Sequence, residues 1–403
     1  MKIIQINVVY NKGSTGKIVY DLHSQLTEDG YESAVYFGRG EPIDEEKVKK
    51  IAPELVMKLQ SLRSRITGYV YAGCVLSTSI LIDELIKHKP DVVHLHCLNG
   101  YFVNIYRLLN FLKDNKIPTI ITMHAEFMYT AGCSYSLECE KWKTGCGGCP
   151  QLNKERPTTW LFDKSAEEWE LMNRAYKNFW NLKIVSVSGW LHNRAKQSPF
   201  FKDKDMHVIY NGIDTENTFK PQNYESLKIK HNLKNEKVIL YVTPNFHSPI
   251  KGGYYALNLA ERLKHQNIKM IIVGLDYNQV KLPSNVIPVS RTDNQLELAK
   301  YYSLADITIL TSKKETFSMI CVESLSCGTP IVGFKAGAPE TISISEYSEF
   351  VEYGDLQLLE EKVMDWIDRK KVFGERISND ARIKYSRVTM FSKYRELYNR
   401  VNI

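Results

Sequence analysis

Short apolar segments alternate with amphipathic stretches along the 403 residues of this chain. Each segment is a nearly continuous aliphatic run, which is typical of strands that are buried on both faces of a parallel sheet. Longer stretches of helical periodicity separate the segments. The pattern predicts two series of strands, at 3–9, 33–37, 91–96, 119–123, 184–187 and 207–210, and then at 238–243, 270–273, 286–289, 307–310, 330–334 and 350–351.

This alternation of strands and helices predicts an α/β protein built from two Rossmann-like parallel-sheet domains. We place the N-terminal domain at residues 1–205 and the C-terminal domain at residues 206–386. The junction is expected near 211–221, a segment rich in turn residues. Open α/β sheets bind ligands outside the carboxyl ends of their strands. Two such domains that face each other would therefore form an active site in the cleft between them.

Composition and charge exclude some classes of protein. The chain is 43% hydrophobic and 25% charged, as globular proteins are, and its net charge of +7 is scattered rather than gathered into a nucleic-acid-binding arm. The small basic clusters are either solvated surface or a contact with anionic lipid headgroups, or with a lipid pyrophosphate, on the cytoplasmic face of the inner membrane. No apolar run is long enough to span a bilayer, and the first segment resembles a strand more than a signal peptide. We therefore expect a cytoplasmic protein that is at most peripheral to the membrane. Its cysteines should be mostly reduced, because the cytoplasm is a reducing compartment.

Two glutamates eight residues apart mark the strongest candidate site. Glu315 follows a predicted strand, and Glu323 lies about two turns along the next predicted helix, so both can face one side. Between them, Thr316-Phe317-Ser318 would form the first helical turn, whose free N–H groups favour a bound phosphate. Carboxylates accept hydrogen bonds from sugar and ribose hydroxyls. This segment therefore combines groups that suit the ribose, the diphosphate and the hexose of a nucleotide-sugar.

Three other motifs also stand at the ends of predicted strands. Gly13-Ser-Thr-Gly16 makes a glycine turn at a helix start, but it matches neither a Walker A loop nor a dinucleotide fingerprint. His124 follows the strand at 119–123, and Lys251-Gly252 opens a helix with an ammonium that suits a phosphate. Each motif has a structural alternative: a plain turn, a buried histidine and a solvated lysine.

In this order and at these distances, the motifs resemble those of retaining GT-B glycosyltransferases of the family-4 type. The resemblance runs over nearly the whole chain and includes Asn-Gly-Ile-Asp at 211–214 and Gly-Ala-Pro-Glu at 337–340. It implies the GT-B fold, in which two Rossmann-like domains face each other across a cleft. It also implies a final helix, at 387–403, that crosses back onto the N-terminal domain. The segment after His124 contains several cysteines, and similar cysteine-bearing loops occur in a branch of bacterial glycosyltransferases that build polysaccharide and lipopolysaccharide.

The resemblance implies a binding site for the donor diphosphate. Lys251 would offset the charge that develops on the leaving group, and Gly16 and the N–H groups of Thr316–Ser318 would contact the same diphosphate. Asn245 stands where the family often carries an arginine. This departure leaves open how the second phosphate charge is offset.

The same resemblance implies which residues bind the sugar and the ribose of the donor. Glu315 would hold sugar hydroxyls, Glu323 the ribose, and His124 would lie beside the reacting sugar. No Asp-x-Asp motif stands in a suitable loop, so we expect catalysis without a divalent ion. A metal site that joins His94 and His96 to His124 is disfavoured, because we expect the first two side chains to point to opposite faces of their strand.

Four cysteines fall within 17 residues of a long segment after His124. Cys146-Gly-Gly-Cys149 has the spacing of a zinc knuckle, and Cys133 and Cys139 complete a set of four ligands. A structural zinc site is the favoured interpretation. Disulfides, free thiols and an iron–sulfur cluster are the alternatives.

The sequence thus predicts an enzyme that moves a hexose from a UDP- or GDP-linked sugar to a hydroxyl of a growing glycan, which we expect to be lipid-linked. Retention at the anomeric carbon is implied by the resemblance. The alternatives are a non-catalytic GT-B protein that binds nucleotide-sugars and a GT-B enzyme of another type, such as an epimerase.

Overall fold

The computed structural model describes residues 1–157, 159–276, 281–292 and 294–400. The chain forms two compact units. Unit 1 comprises Met1–Tyr210 together with the C-terminal segment from Phe391, and unit 2 comprises Asn211–Met390. Among the described residues, no helix is both long and apolar enough to cross a membrane.

Unit 1 has a seven-stranded sheet that is parallel throughout. Its strands are β1 (Lys2–Asn7), β2 (Glu32–Phe37), β3 (Val48–Lys50), β4 (Val92–Leu95), β5 (Thr119–Met123), β6 (Leu182–Ser186) and β7 (Asp205–Val208). The helices are α1 (Gly13–Glu28), α2 (Glu54–Thr67), α3 (Val75–His88), α4 (Ile105–Asp114), α5 (Ser165–Tyr176) and α6 (Gly189–Ala195). The strand order is β3-β2-β1-β4-β5-β6-β7, so it reverses between β1 and β4.

Unit 2 repeats this plan with six parallel strands in the order β10-β9-β8-β11-β12-β13. They are β8 (Lys237–Val242), β9 (Ile268–Val273), β10 (Val286–Val289), β11 (Ile307–Leu310), β12 (Ile331–Phe334) and β13 (Ser348–Val351). Its helices are α7 (Glu225–Lys230), α8 (Gly253–Leu263), α9 (Gln295–Leu304), α10 (Met319–Ser326), α11 (Pro339–Ile342), α12 (Leu356–Trp366) and α13 (Lys370–Tyr385). The last helix, α14 (Arg387–Asn399), begins in unit 2 and continues into unit 1.

The burial of these strands explains why their sequences are apolar. Every residue of β4, β5, β11 and β12 is buried, because helices cover both faces of a parallel sheet. In unit 2, α8 contributes Ala256, Leu259 and Leu263 to the core, and α12 contributes Leu359 and Val363. Their spacing of three and four residues places each set on one helix face.

The fold class predicted from the sequence is confirmed, and each predicted strand is present with ends that differ by up to two residues. The sequence analysis missed β3. This strand has three residues, of which two are lysines, and it lies at the sheet edge beside β2. A short, charged edge strand lacks the apolar run that identified the others.

Candidate active site

Lys251 and Glu315 come together where the strand order of the second sheet reverses. Lys251 follows β8 and Glu315 follows β11, and these two strands are neighbours. The Nζ atom of Lys251 lies 2.7 Å from Oε1 of Glu315, and the two side chains are 21% and 9% exposed. Open α/β sheets bind ligands at this point because the loops diverge on either side of it. The pair therefore joins a cation and a carboxylate at the expected place for a ligand.

Gly252 fixes the loop that carries Lys251. Its φ angle is +70°, and a Cβ atom at this position would lie 2.1 Å from the carbonyl oxygen of Thr311. A side chain is thus excluded by both backbone conformation and space. The hydroxyl of Thr311 donates to the Gly252 carbonyl at 2.9 Å. The loops after β8 and β11 are therefore locked together, which holds Lys251 beside Glu315.

The loop after β12 supports Glu315 from the other side. The Glu315 N–H donates to the carbonyl of Ala336, and the Glu315 carbonyl accepts from the N–H of Ala338. Between them, the N–H of Gly337 donates to the carboxylate of Glu340 at 2.9 Å and 3.1 Å. Glu315 is thus held by the loop after β8 through its carboxylate and by the loop after β12 through its backbone.

Thr316, Phe317 and Ser318 do not form the first helical turn, as the sequence predicted, because α10 begins only at Met319. They connect Glu315 to this helix, and all three are buried. Ser318 has a φ angle of +90°, which residues other than glycine rarely adopt. Such conformations persist where the surroundings enforce them, and they concentrate at ligand-binding sites. Helix α10 begins directly after this strained turn, close to the Lys251–Glu315 pair.

Glu323 lies on α10 and is oriented by α9. The hydroxyl of Tyr302 donates to Oε2 of Glu323 at 3.0 Å, and Glu323 is 8% exposed. Burial, reinforced by the nearby carboxylate, raises the pKa of Tyr302 well above its usual range, so this phenol remains a donor. The sequence analysis did not identify Tyr302, because nothing in the motif predicts which neighbouring helix orients the second glutamate.

Asn245 shapes the turn that precedes Lys251. Its N–H donates to the hydroxyl of Thr243 at 3.2 Å, and its side-chain oxygen accepts from the N–H of His247 at 3.1 Å. The side chain thus bonds to its own turn. Its assignment to the donor remains a prediction.

Gly16 and His124 belong to unit 1. Gly16 lies in the first turn of α1, where a Cβ atom would meet the side chain of Val9 at 3.1 Å and the backbone nitrogen of Asn11 at 3.3 Å. This close approach favours glycine. His124 directly follows β5, and its ring lies beside that of His96. The roles of Gly16 and His124 towards a donor remain predictions.

Three histidines pack against one another in unit 1. The rings of His94 and His96 are 4.0 Å apart, and Nδ1 of His96 lies 3.4 Å from Nε2 of His124. The expectation that His94 and His96 point to opposite faces was wrong, because residues two apart in a strand share a face. His94 also bonds to the hydroxyls of Tyr398, on α14, and Thr122, on β5. The cluster therefore helps to attach α14 to the sheet.

We expect this histidine cluster to make the protein less stable in mild acid. Burial lowers the pKa of His94 to about 3 and that of His124 to about 4, and it lowers the pKa of His96 well below 6.5. The unfolded chain binds protons near pH 6.5 and the folded chain does not, so the free energy of unfolding falls as the pH drops from 6.5 towards 4. The loss is about 1.4 kcal/mol per pH unit for each histidine.

Urea unfolding at pH 7 and pH 5 would measure this loss. His94→Asn should reduce the pH dependence, whereas His265→Asn, at an exposed position in unit 2, should leave it unchanged. An identical pH dependence in His94→Asn and the unmodified protein would contradict the assignment.

The four clustered cysteines line one small pocket together with Arg156. All four are free thiols. Cys133 and Cys149 hydrogen-bond to each other, and this bond lowers the pKa of Cys149 to about 6. Burial raises the pKa of Cys146 to about 12.

The structure does not support the predicted zinc site. Within the part of the chain that the structure describes, no group of three or more His, Cys, Asp or Glu side chains is arranged to hold a metal ion. A tetrahedral site requires four thiolates directed at one central point. Cysteine spacing correctly indicated that these residues gather, but it does not determine how the sulfur atoms are directed.

Family models match both halves of the chain. The model described as Glycosyltransferase Family 4 matches residues 15–217, about half of the chain, and the model described as Glycosyl transferases group 1 matches residues 223–384. The chain belongs to glycosyltransferase family 4. Glu315, Glu323 and Lys251 lie within the group 1 match, and Gly16 and His124 lie within the family 4 match.

Curated relatives align over nearly the full length. The chain is 21% identical to the putative colanic acid biosynthesis glycosyl transferase WcaC of Escherichia coli K12, and the match covers 99% of both proteins. It is 22% identical to the N-acetyl-alpha-D-glucosaminyl L-malate synthase of Bacillus anthracis, over 96% of this chain and 93% of that protein.

Solved structures share the fold of the whole chain. Anabaena HepE in complex with UDP and glucose matches with a TM-score of 0.70 and 14% identity, over 99% of both chains. Sucrose-phosphate synthase from Thermosynechococcus elongatus matches with a TM-score of 0.69 and 14% identity, over 100% of this chain and 99% of that chain. At these identities the likeness establishes the GT-B fold alone.

Proposed function

We propose that this family 4 glycosyltransferase transfers a hexose from a UDP- or GDP-linked sugar to a hydroxyl of a growing surface polysaccharide, with retention at the anomeric carbon. The observation that carries the proposal is the Lys251–Glu315 pair at the strand-order reversal of unit 2, directly before the first turn of α10. The name of WcaC refers to colanic acid biosynthesis, and HepE binds UDP and glucose. Both support a nucleotide-sugar donor and a glycan acceptor, which we propose to be lipid-linked.

Each group of the site has a proposed task. Lys251 and the N–H groups of Thr316–Ser318 bind the diphosphate, because an ammonium and a helix N-terminus both attract negative charge. Glu315 accepts hydrogen bonds from sugar hydroxyls, and Glu323 accepts them from the ribose. His124 lies beside the reacting sugar. The pKa of His124 is lowered by burial, so its ring is neutral near pH 7 and acts as a hydrogen-bonding group.

The proposed reaction exchanges one bond to the anomeric carbon for another on the same face of the sugar. The bond from this carbon to the diphosphate oxygen breaks as the acceptor oxygen attacks. The acceptor proton passes to an oxygen of the departing phosphate, and the nucleoside diphosphate leaves. The protein contributes position and electrostatic stabilisation of the leaving group. Because Lys251 supplies the positive charge, we propose that no divalent ion is needed.

A screen of UDP- and GDP-sugars by thermal shift would identify the donor, because a ligand that binds only the folded state raises its stability. Hydrolysis of the labelled donor would then test for catalysis. Binding without any hydrolysis or transfer would favour a non-catalytic protein, and conversion of the sugar without release would indicate an epimerase.

Glu323→Ala is expected to weaken donor binding by about 1.5–3 kcal/mol, because a hydrogen bond from the ribose to a charged acceptor is lost. Tyr302→Phe should cause a smaller loss, since Glu323 keeps its charge and loses one orienting partner. Isothermal titration calorimetry with the identified donor measures both effects. Glu361→Ala, at an exposed position of α12, is the matched control. Unchanged affinity in Glu323→Ala would refute the ribose assignment.

A further inference from the structure

Helix α2 of unit 1 carries a stripe of large apolar side chains on its outer face. Leu55, Leu59, Leu62 and Ile66 are 67%, 56%, 45% and 43% exposed. Their spacing of four, three and four residues places them on one face of the helix. The opposite face is buried through Met57, among others. The apolar stripe of an ordinary surface helix faces the core, so this orientation is unusual.

A second exposed apolar segment adjoins the end of α2. Trp160, Leu161 and Phe162 are 57%, 66% and 53% exposed. The Trp160 N–H donates to the carbonyl of Arg65 at 2.6 Å, and the guanidinium of Arg65 lies 5.9 Å from the centre of the Trp160 ring. We call the stripe and this segment together the outer apolar surface: Leu55, Leu59, Leu62, Ile66, Trp160, Leu161 and Phe162.

The exposed charged residues of α2 are basic. They are Lys58, Arg63 and Arg65. Glu54, the one acidic residue of this helix, has a side chain that is 45% exposed and pairs with Lys50 at 3.3 Å. At 100° per residue, Lys58 and Arg65 flank the stripe on one side and Arg63 flanks it on the other. Long basic side chains can therefore reach anionic groups in the plane from which the apolar side chains project.

We propose that the outer apolar surface docks unit 1 onto an anionic lipid bilayer. A helix with an apolar stripe and basic flanks lies in the interface between headgroups and acyl chains, where the buried area and the attraction to anionic lipid both contribute to binding. Tryptophan is enriched at the same depth, and Trp160 lies at the end of the stripe. A second copy of the chain fits less well, because an isologous contact would bring two sets of these cations together.

The biological role of this docking rests on the proposed function, because a protein bound at the membrane surface could reach a lipid-linked acceptor. Binding to lipid is nevertheless a separate property from transfer. It can be measured on the full chain without any donor.

Co-sedimentation with vesicles tests the proposal. The full chain is expected to bind vesicles of phosphatidylglycerol and phosphatidylcholine, and to bind vesicles of phosphatidylcholine alone much more weakly. Leu59→Gln combined with Leu62→Gln should reduce partitioning by roughly tenfold or more, because two inserted side chains are lost. Lys58→Gln combined with Arg63→Gln should reduce it by about fivefold per charge, and only at low salt, because salt screens this attraction.

Ile229→Gln combined with Ile383→Gln is the matched control. Both isoleucines are exposed, at 81% and 76%, but belong to unit 2, so this variant should bind vesicles like the unmodified protein. Unchanged thermal unfolding would establish that all variants are folded. Donor hydrolysis without vesicles should be preserved in each variant. If the unmodified protein binds vesicles but hydrolyses no donor, the proposed function fails and the docking surface stands.

Three results would overturn the proposal. The first is equal vesicle binding by the Leu59/Leu62 variant and the control. The second is no binding of the unmodified protein to anionic vesicles. The third is a dimer, measured by light scattering, that the Leu59/Leu62 variant dissociates, because the outer apolar surface would then join two copies of this chain.

Discussion

Lys251→Ala is expected to lower kcat by roughly 100- to 1000-fold, the cost of removing one group that stabilises charge developing in the transition state. Negative charge on the departing diphosphate grows as the bond to the sugar breaks, so the ammonium contributes more to the transition state than to the bound donor. The donor dissociation constant should therefore change much less than kcat. Steady-state kinetics and calorimetry with the same donor measure the two effects separately.

Lys313→Ala is the control for this variant. Lys313 lies in the same loop as Glu315, but its ammonium lies near the ring of Tyr353, 6.0 Å from its centre. Its replacement should leave kcat nearly unchanged. If Lys251→Ala weakens binding and turnover equally, Lys251 is a binding contact only. If neither changes, another group binds the diphosphate.

Glu168→Ala is expected to destabilise the protein by about 3–5 kcal/mol, the range for removing one member of a buried ion pair. The carboxylate of Glu168, on α5, accepts from Nη2 of Arg156 at 2.6 Å, and both side chains are fully buried. It also accepts from the N–H groups of Val70 and Tyr71 at 2.8 Å and 2.9 Å. The variant leaves a buried guanidinium and two buried N–H groups without this partner, which is more costly than the lost bonds themselves.

Thermal unfolding measures this effect, which should lower Tm by roughly 10 °C for a unit of this size. Glu170→Ala is the control on the same helix, because Glu170 pairs with Arg174 at the surface and such pairs contribute little. A second comparison distinguishes an unpaired charge from a packing defect: Glu168→Leu combined with Arg156→Met should be less destabilising than Glu168→Ala alone. A double variant that is as unstable as the single one would contradict this interpretation.

The sequence by itself determined the fold class. Strands buried on both faces of a parallel sheet must be apolar throughout, so segments such as 119–123 and 307–310 are visible without any structure. Motifs visible in the sequence alone also made Lys251, Glu315 and Glu323 candidate site residues, and their roles remain predictions. β3 was missed because it has no apolar run.

Only the tertiary structure decided which groups meet. Lys251 and Glu315 are 64 residues apart, and they pair because β8 and β11 are neighbours. The arrangement of the four clustered cysteines, which within the described residues does not support the predicted zinc site, also depends on how a long segment packs. For α2, the periodicity of Leu55, Leu59, Leu62 and Ile66 can be seen in the sequence, but it indicates only that one face is apolar. Whether that face meets the core or the solvent depends on how the helix packs against the rest of unit 1, and here it meets the solvent.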